Sequence, residues 1–245
     1  MLFRSYRIIT HAISGIILCL ILFLYAFVQP SQKIKTGVLS LTGNKTSGEY
    51  IFAAAGCDSC HLRVKKSQKL QLGGGEKFET PFGIFYAPNV SMSKVHGLGN
   101  WSFEDFYEAL KFGQNPQNEH YYPAFPFTSY SKMADQDIAD LWEYWKTLPS
   151  VETPSKDHEL DFPFNIRMSV GLWKKLLSDS SFVGNPNDRG TYLVEALGHC
   201  AECHTPRSVF GVSLRNQWMK GAKNPSGKGT IPSIHPDDLK WTVEE

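Results

Sequence analysis

The sequence predicts an all-α chain made of an N-terminal membrane-spanning helix followed by two helical modules of one pattern, the second of them incomplete. Three observations predict this: an uncharged apolar stretch behind Arg4, Arg7 and His11, helical spacing of large apolar residues further on, and a motif that occurs twice. The chain has 245 residues with 42% hydrophobic and 20% charged content, which excludes a largely disordered or collagen-like polymer. Of its 25 basic side chains, Arg4 and Arg7 precede any acidic one, so the chain from Pro30 onward sets 23 basic against 24 acidic residues. That balance gives nucleic-acid binding no electrostatic support.

The N-terminal element comes first. Ala12 to Val28 is apolar except for Ser14 and carries no formal charge, and at helical rise it nearly spans a bilayer core. The positive flank keeps the N-terminus in the cytoplasm and sends the rest across. In a bacterium this places residues 1–30 as an inner-membrane anchor and everything beyond in the periplasm. Tyr25-Ala26-Phe27-Val28 has no small-x-small cleavage pattern, so an uncleaved anchor is expected over a signal peptide. Cys19 lies inside the apolar helix behind the bulky Leu18 and receives no function.

The remaining four cysteines form Cys57-Asp58-Ser59-Cys60-His61 and Cys200-Ala201-Glu202-Cys203-His204. Two thiols one helical turn apart can add to the two vinyl groups on one porphyrin edge, while the adjoining imidazole reaches the iron from below. The motifs therefore predict two covalently bound haem c groups, held by Cys57, Cys60, Cys200 and Cys203, with His61 and His204 as axial ligands. Disulfides, a redox dithiol and a paired-thiol zinc site are the alternatives. Against zinc stands the separation, since 139 residues lie between Cys60 and Cys200. A thioredoxin-like dithiol needs a strand-helix-strand context that is not visible here.

Each motif sits in the same surroundings. Gly48-Glu49-Tyr50 opens an apolar helix before the first, and Gly190-Thr191-Tyr192 before the second. Ala87-Pro88-Asn89-Val90 then leads to Trp101 in one, and Ile231-Pro232-Ser233-Ile234 to Trp241 in the other. The first module, residues 40–150, continues through a Ser102 N-cap into a helix facing inward with Phe103, Phe106, Tyr107 and Leu110. A proline-rich aromatic loop, His120 to Tyr130, leads to a helix from near Asp135 with Ile138, Leu141, Trp142, Trp145 and Leu148 on one face; Pro149 stops it. Residues 151–187 bridge the modules through an amphipathic helix carrying Ile166, Met168, Val170, Leu172, Trp173, Leu176 and Leu177. The second module, residues 188–245, reaches only its tryptophan, so its last helices and the second iron's distal ligand are expected to be missing.

With these residues in place, the chain resembles the membrane-anchored multihaem cytochrome c subunits of bacterial periplasmic dehydrogenases acting on alcohols, gluconate, sorbitol and aldehydes. The resemblance covers about residues 48–207. It rests on Phe85-Tyr86-Ala87-Pro88-Asn89-Val90, Trp101-Ser102-Phe103-Glu104-Asp105-Phe106, Tyr122-Pro123-Ala124-Phe125-Pro126-Phe127, Phe162-Pro163-Phe164-Asn165-Ile166-Arg167 and Gly198-His199-Cys200 through Thr205-Pro206-Arg207. It implies class I cytochrome c-like domains and a non-catalytic subunit that takes electrons from the dehydrogenase's catalytic subunit and passes them to quinone or a terminal oxidase. A third haem module present in many relatives is absent. A dihaem enzyme, peroxidase-like or oxidising a small sulfur compound at one open iron, is the alternative.

Methionine is the usual distal ligand of an electron-transfer haem c because the thioether raises the potential. Met133, just before the last helix of the first module, is the leading candidate, with Met92 and His120 as substitutes. For the second iron the choices are Met219 and, below it, Met168. Gly73-Gly74-Gly75 reads as a turn at the haem edge, not as a phosphate loop. Lys65, Lys66 and Lys69 read as solvated loop lysines that can also meet haem propionates or an acidic partner.

Overall fold

The computed structural model describes residues 2–62 and 70–242. Lys65, Lys66 and Lys69 lie outside the described residues.

The first helix, α1, runs Leu2–Val28, longer than the apolar stretch alone. Its last 18 residues, His11–Val28, average a hydropathy of 2.4 and are almost wholly exposed, so this is one helix long and apolar enough to cross a membrane. Helix α2 (Lys45–Ala54) starts at Asn44, whose side chain accepts the Ser47 amide, and α3 (Cys57–His61) follows after a left-handed Gly56. Helix α4 (Phe103–Phe112) has the predicted Ser102 N-cap, completed into a capping box by Asp105, and ends on a left-handed Gly113. Because both amides at this end depend on the pair, Ser102→Ala is expected to cost about 1 kcal/mol in chemical unfolding. After the one-turn α5 (Phe127–Tyr130), helix α6 spans Asp135–Trp145.

These helices enclose the core. Ile51 and Phe52 of α2, Phe106, Tyr107 and Leu110 of α4, and Ile138, Leu141, Trp142 and Trp145 of α6 are all buried in one cluster. Phe106 lies 4.9 Å from Trp142 and 5.3 Å from Trp145, and Phe52 lies 5.5 Å from Trp145, ring centre to ring centre. The tryptophans thus tie helix to helix, and Trp145 also donates its indole N–H to the Val90 carbonyl at 2.8 Å. Crossing of α2 over α6 requires glycine at position 48, where a Cβ would sit 1.9 Å from the Asp140 carbonyl oxygen.

The regular structure is mostly helical, yet the all-α expectation needs correction. Strands β1 (Lys77–Thr80) and β2 (Gly83–Tyr86) form an antiparallel hairpin that β3 (Glu159–Leu160) extends. A second hairpin, β4 (Ala222–Lys223) and β5 (Thr230–Ile231), lies in the second half. Both are short and follow a loop rich in glycine, so no periodic pattern announces them.

The expected bridging helix forms as α7 (Met168–Leu177), but its buried residues, Val170 and Gly171, face the end of α1. There His120 Nε2 donates to the Val28 carbonyl at 2.9 Å, and Lys175 Nζ donates to the Phe27 carbonyl with its charge 4.7 Å from the Phe27 ring centre. Burial pulls the neighbouring Lys174 down to about 8. The apolar stretch before the second motif begins as α8 (Arg189–Tyr192) and continues as a π-helical turn over Leu193–Leu197. Last come α9 (Ala201–His204) and α10 (Pro236–Leu239).

Candidate haem attachment sites

Both Cys-x-x-Cys-His motifs lie on short helices. Cys57 and Cys60 belong to α3, and Cys200 caps α9, which carries Cys203. All five cysteines are free thiols. Burial, with help from Asp58, pushes the Cys57 thiol up to about 12, the opposite of an activated redox thiolate. Among the described residues no three histidines, cysteines or carboxylates converge as an ion site.

Around the histidines the two halves repeat each other. His61 Nδ1 lies 2.9 Å from the Pro88 carbonyl, and His204 Nδ1 lies 2.9 Å from the Pro232 carbonyl. A carbonyl can only accept, so Nδ1 carries the proton and Nε2 keeps its lone pair. Burial also lowers the His61 pKa, keeping the imidazole in its neutral, coordinating form. The Gly74 amide bonds the His61 carbonyl at 2.9 Å and the Gly221 amide the His204 carbonyl at 2.8 Å. Side chains are barred at both glycines, since a Cβ would come within 2.4 Å of the Ala87 carbonyl at Gly74 and within 2.7 Å of the Ile231 carbonyl at Gly221. Each hairpin, β1–β2 and β4–β5, joins the glycine of its motif to the proline. The residues fit haem: two unpaired thiols, an oriented imidazole with one nitrogen available, and a glycine turn that brings backbone close in each half.

The repeat also places the candidate distal ligands. Val90 donates its amide to the Leu72 carbonyl at 2.9 Å, and Ile234 donates to the Met219 carbonyl at the same distance. Met219 therefore holds the place in the second half that Leu72 holds in the first. His120 is engaged through both ring nitrogens, Nε2 at Val28 and Nδ1 at 3.3 Å from Lys174, beneath α1 and not beside a motif. Met168 opens α7 half exposed. Met133 is 1% exposed, in the same cluster against which Cys57, Met92 and Phe125 pack.

Sequence reasoning missed the orienting role of Pro88 and Pro232, although their matching places in the repeat were visible. It also missed Tyr130, Lys132, Glu195 and His199, which join the halves. Lys132 and Glu195 form a buried ion pair at 3.6 Å, with Lys132 also 5.5 Å from the Phe182 ring centre. No spacing along the chain brings these residues together.

No protein-family model matches the chain. Among curated proteins it is 45% identical over 210 residues to a protein named Diheme cytochrome c-type from Cereibacter sphaeroides, a match spanning 83% of this chain and 71% of the relative. It is 37% identical to the fructose dehydrogenase cytochrome subunit of Gluconobacter japonicus, over 71% of this chain and 37% of that one. The gluconate 2-dehydrogenase cytochrome c subunit of Pantoea cypripedii is 34% identical, over 81% of this chain and 48% of that one. The chain thus spans under half the length of the two named dehydrogenase subunits. Cytochrome subunits carry electrons and leave substrate chemistry to a catalytic partner, so the dihaem enzyme reading is not favoured. The chain belongs to the haem-binding c-type cytochromes related to these dehydrogenase cytochrome subunits, whose role is electron transfer.

Proposed function

We propose that Cys57 and Cys60 hold one haem c by thioether bonds and Cys200 and Cys203 a second, with His61 and His204 as proximal ligands through Nε2. One observation supports this above the others: in both halves Nδ1 is committed to a proline carbonyl, which fixes the ring and leaves a single nitrogen for iron. Met133 is assigned as the distal ligand in the first module, on its burial in the cluster that Cys57 adjoins. Bound there, haem supplies a one-electron couple. The surrounding chain orients the imidazoles, excludes water from the first site with its aromatic core, and makes or breaks no substrate bond.

The donor we assign is the catalytic subunit of a periplasmic dehydrogenase, and the acceptor is quinone or a terminal oxidase. Helix α1 holds the chain in the bacterial inner membrane, Arg4 and Arg7 on the cytoplasmic side, with residues 40–150 and 188–245 as the periplasmic haem domains. Two measurements test the reading. A pyridine haemochrome assay on the purified full chain is expected to give two covalent haems, surviving denaturing electrophoresis. Membranes holding the chain together with its dehydrogenase are expected to reduce both with substrate. A colourless chain, or two haems that no dehydrogenase substrate reduces, overturns it.

A further inference from the structure

The two attachment motifs meet across a single tyrosine. The Tyr130 hydroxyl donates to the Ala55 carbonyl at 3.0 Å, two residues before Cys57. Its ring stands edge-on to His199, one residue before Cys200, with centres 5.5 Å apart and planes at 82°. The hydroxyls of Thr128 and Ser129 donate to Glu202 Oε1, inside the second motif, at 3.1 and 3.3 Å. On the other flank Lys132 holds Glu195 of the π-helical turn, whose carboxylate also takes the Val183 and Gly184 amides at 2.9 and 2.7 Å. Residues 128–132 therefore grip the second motif from both ends.

The backbone at His199 adds an independent observation. His199 has φ +39°, in the left-handed region, and its place in the repeat is taken by Gly56, φ +60°. Both residues directly precede the first cysteine of their motif. A side chain there costs on the order of 1–2 kcal/mol, which glycine would avoid. Strain of this kind persists where the side chain has a task, and the imidazole stands against the Tyr130 ring.

We infer that Tyr130 and His199 are a pair of positioning residues that lock the second haem-bearing segment against the first and so set the rate of electron exchange between the two haems. The inference rests on the relay reading above. In the exchange one iron passes from ferrous to ferric as the other passes from ferric to ferrous; no bond breaks and no proton is needed.

The test uses the full-length holoprotein. After photoreduction at one haem, transient absorption reads the exchange rate, alongside haem count, both midpoint potentials and the unfolding midpoint. His199→Gly gives position 199 the residue of its counterpart Gly56, so the unfolding midpoint is expected to hold or rise while exchange slows severalfold as the two haem-bearing segments move apart. Tyr130→Leu slows it similarly, Tyr130→Phe less, and the His199→Gly, Tyr130→Leu double variant no more than either alone, because both remove one contact. Potentials stay as in the parent chain. An unchanged rate in His199→Gly, or losses that multiply in the double variant, overturns the pairing while leaving the relay intact. Fewer than two haems in the parent chain overturns the relay and the pairing with it.

Discussion

Alanine at both Cys200 and Cys203 is expected to halve the covalent haem of the chain and leave the first module folded. The second motif lies on a short helix whose cysteines are partly or fully exposed, and most of the large apolar cluster is built from α2, α4 and α6. Replacing Cys57 and Cys60 is expected to do more. Cys57 packs against that cluster, and without a haem to complete it the cluster loses a wall, so this variant should lose both the first haem and the cooperative unfolding transition. Haemochrome spectra and intact mass, which counts haem adducts directly, separate the two cases. Full haem content in either double variant refutes the attachment assignment.

The second large effect concerns a glycine. Gly48→Ala is expected to destabilise the holoprotein by about 3 kcal/mol, because the added Cβ would lie 1.9 Å from the Asp140 carbonyl oxygen and 2.6 Å from its carbon, and a helix backbone yields only by moving α6 as a body. The counterpart in the second half provides the control. At Gly190 a Cβ would meet nothing nearer than the capping Asp188 carboxylate at 3.1 Å, which has to give by only a few tenths of an ångström. Gly190→Ala is expected to fall within about 1 kcal/mol of the parent, on the favourable side if the gain in helix propensity is realised. Denaturant unfolding of both variants decides the matter: equal losses would mean that the crossing of α2 and α6 does not depend on glycine.

Much of this molecule is legible along the chain where local rules govern. The Ser102 cap, the α6 stripe from Ile138 to Trp145 and the span ending at Val28 each express a period or an end signal that one segment carries by itself. The repeat was legible too, since Pro88 and Pro232 stand at matching places, and the structure gives them matching bonds to His61 and His204. The hairpins were not, because strands of two to four residues are too short to carry a visible alternation. Nor was the join between the halves. Tyr130 meets His199 across 69 positions and Lys132 meets Glu195 across 63, and such pairs exist only once α5 and the π-helical turn are packed together. Candidate ligands show the same limit: Met219 and His120 qualify by residue type, and their hydrogen bonds to Ile234 and Val28 are long-range features that residue type does not announce.

The seat of α1 has a mechanical consequence. Its final turn is pinned by His120 from one side and Lys175 from another, with Gly171 pressed against the Val28 carbonyl. A hydrophobic helix fastened in this manner is a stalk and not a leash. In the anchored arrangement proposed above, the globular part has little freedom to swivel, and the height of each proposed haem above the lipid is dictated by the fold instead of being sampled by diffusion.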